Sequence, residues 1–97
     1  MTAFAELEMA LDEGVEIRFT RHAKEKFDLL RHYGFDLEER SVSETIRNPT
    51  HLEQRGEQCF AVRVIDERCA LRVVYEKRKG YLLVITFYPV RRERYGI

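Results

Sequence analysis

The chain has no tryptophan, two cysteines and two prolines. It also has no long apolar run, and each shortage excludes something. Cys59 and Cys69 are too few for the disulfide framework of a small secreted domain, and neither has a second thiol at metal spacing. Both lie in strand-like runs, so buried free thiols in a cytoplasmic protein are the simplest reading. No apolar stretch approaches the roughly 20 residues that cross a bilayer, so no membrane association is expected. The N-terminus lacks the basic, apolar, small-residue order of a secretory leader. The sequence has no Gly-rich phosphate loop, no Gly-x-Ser-x-Gly elbow and no paired-cysteine zinc pattern. His22, His32 and His51 form no metal spacing with the scattered carboxylates. Neither a metal nor a cofactor is expected.

A length of 97 residues fits one domain over 1–97, with a single core. Seventeen basic and seventeen acidic residues give a net charge of zero, but they are segregated. Residues 1–17 carry Glu6, Glu8, Asp12, Glu13 and Glu16 and no Lys or Arg. We take 1–16 as an acidic N-terminal extension. Residues 18–58 balance, and residues 59–97 carry nine basic side chains against Asp66, Glu67, Glu76 and Glu93. A basic end on a neutral chain can bind an anion locally, because salt screens the distant acidic end. A solvated face, or a match between the two ends, accounts for the charge equally well.

Helices come first and strands after. Phe4, Leu7 and Leu11 suggest a short helix over 3–12, ended by Gly14. Residues 15–19 alternate and read as a short strand or an extended lead-in. Thr20 is a good N-cap for a helix over 21–33, with Ala23, Phe27, Leu30 and Tyr33 on its apolar face and Gly34 at its end. Asp36, with Glu39 at the capping-box position, opens a second helix that buries Leu37, Val42 and Ile46 and stops at Asn48-Pro49. The period then changes to two. Strands are expected at 51–54, 59–65, 69–76 and 81–88, and their short turns demand antiparallel pairing. The fold class is α+β, two helices on a four-stranded antiparallel sheet.

The chemistry gathers in three places. His22 opens the first helix beside Lys24 and shares a face with Lys26, so it can move a proton near bound phosphate; a surface histidine is the plain alternative. Arg63 and Arg72 each interrupt an apolar strand, where a guanidinium either pairs with a carboxylate such as Glu57 or Glu76, or is held for a phosphate. On the last strand, strict alternation puts Leu82, Val84, Thr86 and Tyr88 on one face. Leu83, Ile85 and Phe87 then face the helices. Thr86 and Tyr88 can hold a phosphate or stack a base, and Arg91, Arg92 and Arg94 follow directly. An ordinary half-exposed strand and a solvated tail fit the same residues.

Phe-Thr-x-His-Ala-x-x-Lys (19–26), the Arg-Asn-Pro helix end (47–49), Leu-Arg-Val-Val-Tyr (71–75) and Val-Ile-Thr-Phe-Tyr-Pro (84–89) together resemble a small domain family of unknown function. That family is similar to the RelE-like and BrnT-like toxins of the barnase–colicin–RelE nuclease superfamily. The resemblance covers about residues 17–95. It implies a RelE-like sheet and a metal-independent ribonuclease toxin of a toxin–antitoxin system. Its partners would be RNA, ribosome-bound mRNA included, and a cognate antitoxin. The motif histidine corresponds to His22, the strand arginine to Arg72, and the polar positions of the last strand to Thr86 and Tyr88. The Arg-x-Arg-Tyr ending corresponds to Arg92, Arg94 and Tyr95.

The expected reaction is transesterification of RNA to a 2′,3′-cyclic phosphate, with His22 as acid or base. Arg72, with Arg63 or Arg92, would hold the phosphate. Two other readings use the same residues: a non-catalytic RNA- or protein-binding module, and an oligomer such as a homodimer, in which the acidic segment packs on a neighbour's basic tail.

Overall fold

A computed structural model describes residues 15–97. The helix expected over 3–12, and most of the acidic segment, lie outside these residues. The elements run β1 (Glu16–Phe19), α1 (Arg21–His32), α2 (Glu39–Arg47), β2 (His51–Arg55), β3 (Gln58–Val64), β4 (Cys69–Arg78) and β5 (Tyr81–Arg91). A 3₁₀ turn over Arg92–Tyr95 follows. The fold is α+β, with two helices packed on a five-stranded mixed sheet in the order β1-β5-β4-β3-β2.

Strands β2 to β5 form the expected antiparallel meander. The expectation of a four-stranded, wholly antiparallel sheet is corrected by β1. It runs parallel to β5, from Glu16 opposite Tyr81 to Phe19 opposite Val84. The long connection through both helices permits parallel pairing, which a hairpin could not make. Ile17 and Phe19 turn inward and pack on the core.

Helix α1 begins as its sequence demands. Thr20 Oγ1 accepts the Ala23 N–H at 3.1 Å, satisfying one of the helix's free donors. At the other end Gly34, at φ +89°, lets the Phe35 N–H return to the Leu30 carbonyl at 2.9 Å. Ala23 and Leu30 are buried and Phe27 packs against Phe87, with ring centroids 4.6 Å apart. Tyr33, expected on the apolar face, is 73% exposed, because the helix has ended before it. Helix α2 starts later than expected. Its N-cap is Glu38, whose backbone N–H donates to Ser41 Oγ at 3.3 Å, and not Asp36. The cause is the chain reversal at Gly34–Phe35, after which Leu37 must reach the core before the helix can begin.

The core lies between the helices and one sheet face. Ala23, Leu30, Leu37, Val42 and Ile46 meet Leu71, Val73, Tyr75, Leu82, Val84 and Phe87. Burying each large aliphatic or aromatic side chain contributes about 1.5–3 kcal/mol. Cys59 is free and buried beside Tyr75, while Cys69, expected to be buried, is only half-covered. Burial first, and then Cys59, pushes the Tyr75 hydroxyl above its ordinary range, so it stays neutral.

One irregularity sets the site. The β4–β5 register shifts by one residue, so that Val74 faces Thr86 while Tyr75 faces Val84 and Ile85 is the extra residue. Such a bulge reverses which face each later side chain takes. Leu82 and Val84 before it, and Phe87 after it, all reach the helices. The unbroken alternation expected for 82–88 is therefore corrected. Thr86 and Tyr88 do share the far face, but Val84 is core.

Candidate nucleic-acid interface

The sheet face turned away from the helices carries the candidate site. Directly opposed residues share a face. One row is His51, Val62, Arg72 and Tyr88, and the next is Glu53, Phe60, Val74 and Thr86. Arg72 and Thr86 are diagonal neighbours, which sets them about 7–8 Å apart.

Helix α1 enters this site from the edge of the sheet. Strand β1 ends at Phe19, opposite Val84. Thr20 then donates its backbone N–H to the Val84 carbonyl at 3.0 Å and its hydroxyl to the Ile85 carbonyl at 3.2 Å. The N-cap of α1 is thereby tied to the bulge in β5. Two residues on, in the first turn, His22 Nε2 lies 3.4 Å from Thr86 Oγ1, and one turn further Lys26 Nζ lies 5.8 Å from the centroid of the Tyr88 ring. His22 and Lys26 thus meet the two polar residues of the last strand, as their four-residue spacing allows.

Arg72 is half-buried between two rings, its guanidinium carbon 5.0 Å from the Phe60 centroid and 5.9 Å from that of Tyr88. Nη1 donates to Tyr95 Oη at 2.9 Å. Nε is buried and has no hydrogen-bond partner among the described residues. No carboxylate pairs with Arg72 among them either. Glu76 is instead taken by Arg78 and Gln58. A guanidinium held this way is a cation with donors to spare. The 3₁₀ turn that supplies Tyr95 is itself anchored, by Arg92 Nε on the Ile97 carbonyl at 3.0 Å and Arg92 Nη1 on the Asp66 carbonyl at 3.2 Å.

The structure therefore brings together His22, Lys26, Arg72, Thr86 and Tyr88. It does not bring Arg63 to them. Arg63 pairs with Leu71, so it stands on the helix face, where it donates to the Asn48 carbonyl at 3.1 Å. In a meander, adjacent positions on paired strands alternate faces, and Arg63 and Arg72 are one register step apart. Arg92 is spent on the turn, and Arg91 lies 4.0 Å from Glu93. Lys24 and Arg94 are exposed and unpaired among the described residues. A depression of about 540 Å³ is lined by Arg68, Arg91 and Arg92, but Glu67 and Glu93 share it and blunt its charge.

Two further residues line the site, Phe60 and His51. Phe60 was legible as a neighbour of Val62 and Val64, and the tight β3–β4 turn fixes that set opposite Arg72. His51, whose ring centroid is 5.6 Å from that of Tyr95, gave no signal. Among the described residues no three His, Cys, Asp or Glu converge to hold a metal ion, and no helix is long and apolar enough to cross a membrane. No protein-family model, curated protein or solved structure matches the chain.

Proposed function

We propose that this protein is a metal-independent endoribonuclease of the RelE/BrnT toxin type, acting in the cytoplasm and restrained by an antitoxin protein. One observation carries the reading. A half-buried arginine without a carboxylate partner among the described residues lies diagonal to Thr86, whose hydroxyl is 3.4 Å from a histidine ring nitrogen. Phosphate, hydroxyl and proton carrier would meet there.

The reaction follows from those roles. The ribose 2′ oxygen attacks the adjacent phosphorus while His22, as base, takes its proton. The bond from phosphorus to the 5′ oxygen breaks, and that oxygen takes a proton from solvent water. The products are a 2′,3′-cyclic phosphate and a 5′-hydroxyl end. Arg72 neutralises the charge that grows on the non-bridging oxygens, and Lys26 adds to it. Thr86 orients His22, and Tyr88 packs against the ribose or base. Arg72 takes this part without Arg63, which stands on the other face.

The test is incubation of the purified protein with a mixed RNA pool in EDTA, with His22→Ala alongside. The reading predicts cyclic-phosphate ends from the wild type and a loss of about 10²–10⁴-fold in rate for the variant. Binding of RNA without cleavage would replace it with a non-catalytic binding module built on the same cations.

A further inference from the structure

The far face carries more than the residues that the proposed reaction uses. Cations and rings alternate across it. The Arg55 guanidinium carbon lies 5.5 Å from the Phe60 centroid, Arg72 lies 5.0 Å beyond on that same ring, Tyr88 follows at 5.9 Å, and Lys26 at 5.8 Å. The series starts on the edge strand β2, crosses β3, β4 and β5 and ends on α1. Neither Arg55 nor Phe60 has a part in cleavage.

We infer that this ladder is a binding track for a short run of unpaired RNA, so that the protein selects single-stranded over duplex substrate. The inference rests on the proposed nuclease reading for the identity of the nucleic acid. The physical reason is access to the flat faces of the bases. Aromatic rings and guanidinium planes bind bases by stacking, and a base is free to stack only when it is unpaired and splayed out. A duplex offers this face phosphates alone. Cations between the rings neutralise the backbone that accompanies the bases. The carboxylates on this face do not undo that charge. Glu53 is paired with Arg55 and Glu76 with Arg78, which leaves Arg72 and Lys26 uncompensated among the described residues. The two rings, on β3 and β5, stand about two strand spacings of ~4.8 Å apart and offer stacking faces for about two bases, while Arg72 and Lys26 meet the accompanying phosphates.

The test separates binding from cleavage. A fluorescent RNA of about twelve nucleotides, 2′-O-methylated throughout, cannot form the cyclic phosphate; its binding is read by anisotropy, alone and annealed to its complement. The single strand should bind at least about tenfold tighter than the duplex, and Phe60→Leu should remove about tenfold of its affinity while Phe60→Tyr retains it. A thermal melt of each variant separates lost stacking from lost fold. Equal affinity for the two forms, or wild-type affinity in a folded Phe60→Leu, overturns the track even if the protein cleaves RNA. Single-strand preference in a protein that cleaves nothing retains the track and rejects the nuclease.

Discussion

Thr20 and Ile85 are joined across 65 residues of chain by a hydrogen bond of 3.2 Å, from the threonine hydroxyl to the carbonyl of the bulged residue. The same hydroxyl accepts the Ala23 N–H. One oxygen thus starts helix α1 and fixes the place where β5 changes face, and the His22–Thr86 contact depends on both.

Thr20→Val keeps the shape and removes the hydroxyl. It should destabilise the fold by about 1–2 kcal/mol, read as a lower urea midpoint, while Thr20→Ser keeps most of the stability. Cleavage should fall in Thr20→Val even under conditions where the variant is fully folded. An unchanged midpoint would mean that the cap and the bulge are held by the backbone alone.

Arg72→Gln removes a cation that has no carboxylate partner among the described residues. Its effect on stability should be about 2–3 kcal/mol at most, two ring contacts of about 0.5 kcal/mol each and one hydrogen bond from a charged donor, offset in part by removal of the buried, unpartnered Nε. RNA affinity should fall, and the slope of log affinity against log salt should flatten by about one. A salt titration with non-cleavable RNA measures this. An unchanged slope would place no phosphate on Arg72.

Tyr95→Phe keeps the ring beside His51 and deletes the acceptor of Arg72 Nη1. The guanidinium loses its aim but not its charge. Turnover should drop about tenfold, the worth of one charge-assisted hydrogen bond, with the salt slope of RNA binding unaltered. A changed slope with normal turnover would reverse that assignment.

Asp66 closes the β3–β4 turn. Its Oδ1 accepts the N–H groups of Arg68 at 2.8 Å and Cys69 at 2.7 Å, and these bonds hold its carboxyl below the usual carboxylate range. A folded-state value below the unfolded one gives stability that is complete above the ordinary value of 3.8 and is lost as pH falls through the folded value. Asp66→Ala should therefore lower the urea midpoint at about pH 7, and the gap should narrow at about pH 3. A gap independent of pH would show that the charge is immaterial.

Much of this was legible in the sequence, for local reasons. Thr20 and Gly34 bound α1 because caps and left-handed glycines act within a few residues. The meander was legible because its turns are short. The partner of β1 was not, since a four-residue strand pairs with a segment more than 60 residues away and only packing of Ile17 and Phe19 selects it. The bulge at Ile85 was not legible either. Both alternation patterns of β5 are apolar enough to face the helices, and the choice switches partway along the strand. Arg63 and Arg72 looked equivalent because strand pattern alone does not say which face the helices cover. Arg72 gained its importance from Phe60, which the short β3–β4 turn sets on its face, and from Tyr88 and Tyr95, which no spacing rule connects to it across the bulge in β5.

The most direct test compares two arginines on opposite faces of one sheet. Cleavage of RNA in EDTA is measured for the wild type, Arg72→Gln and Arg63→Gln, with each variant shown to be folded. The account predicts cyclic-phosphate products from the wild type, nearly full activity in Arg63→Gln and loss of about 10²-fold or more in Arg72→Gln. A wild type that leaves RNA intact, or an Arg72→Gln as active as the wild type, would contradict it.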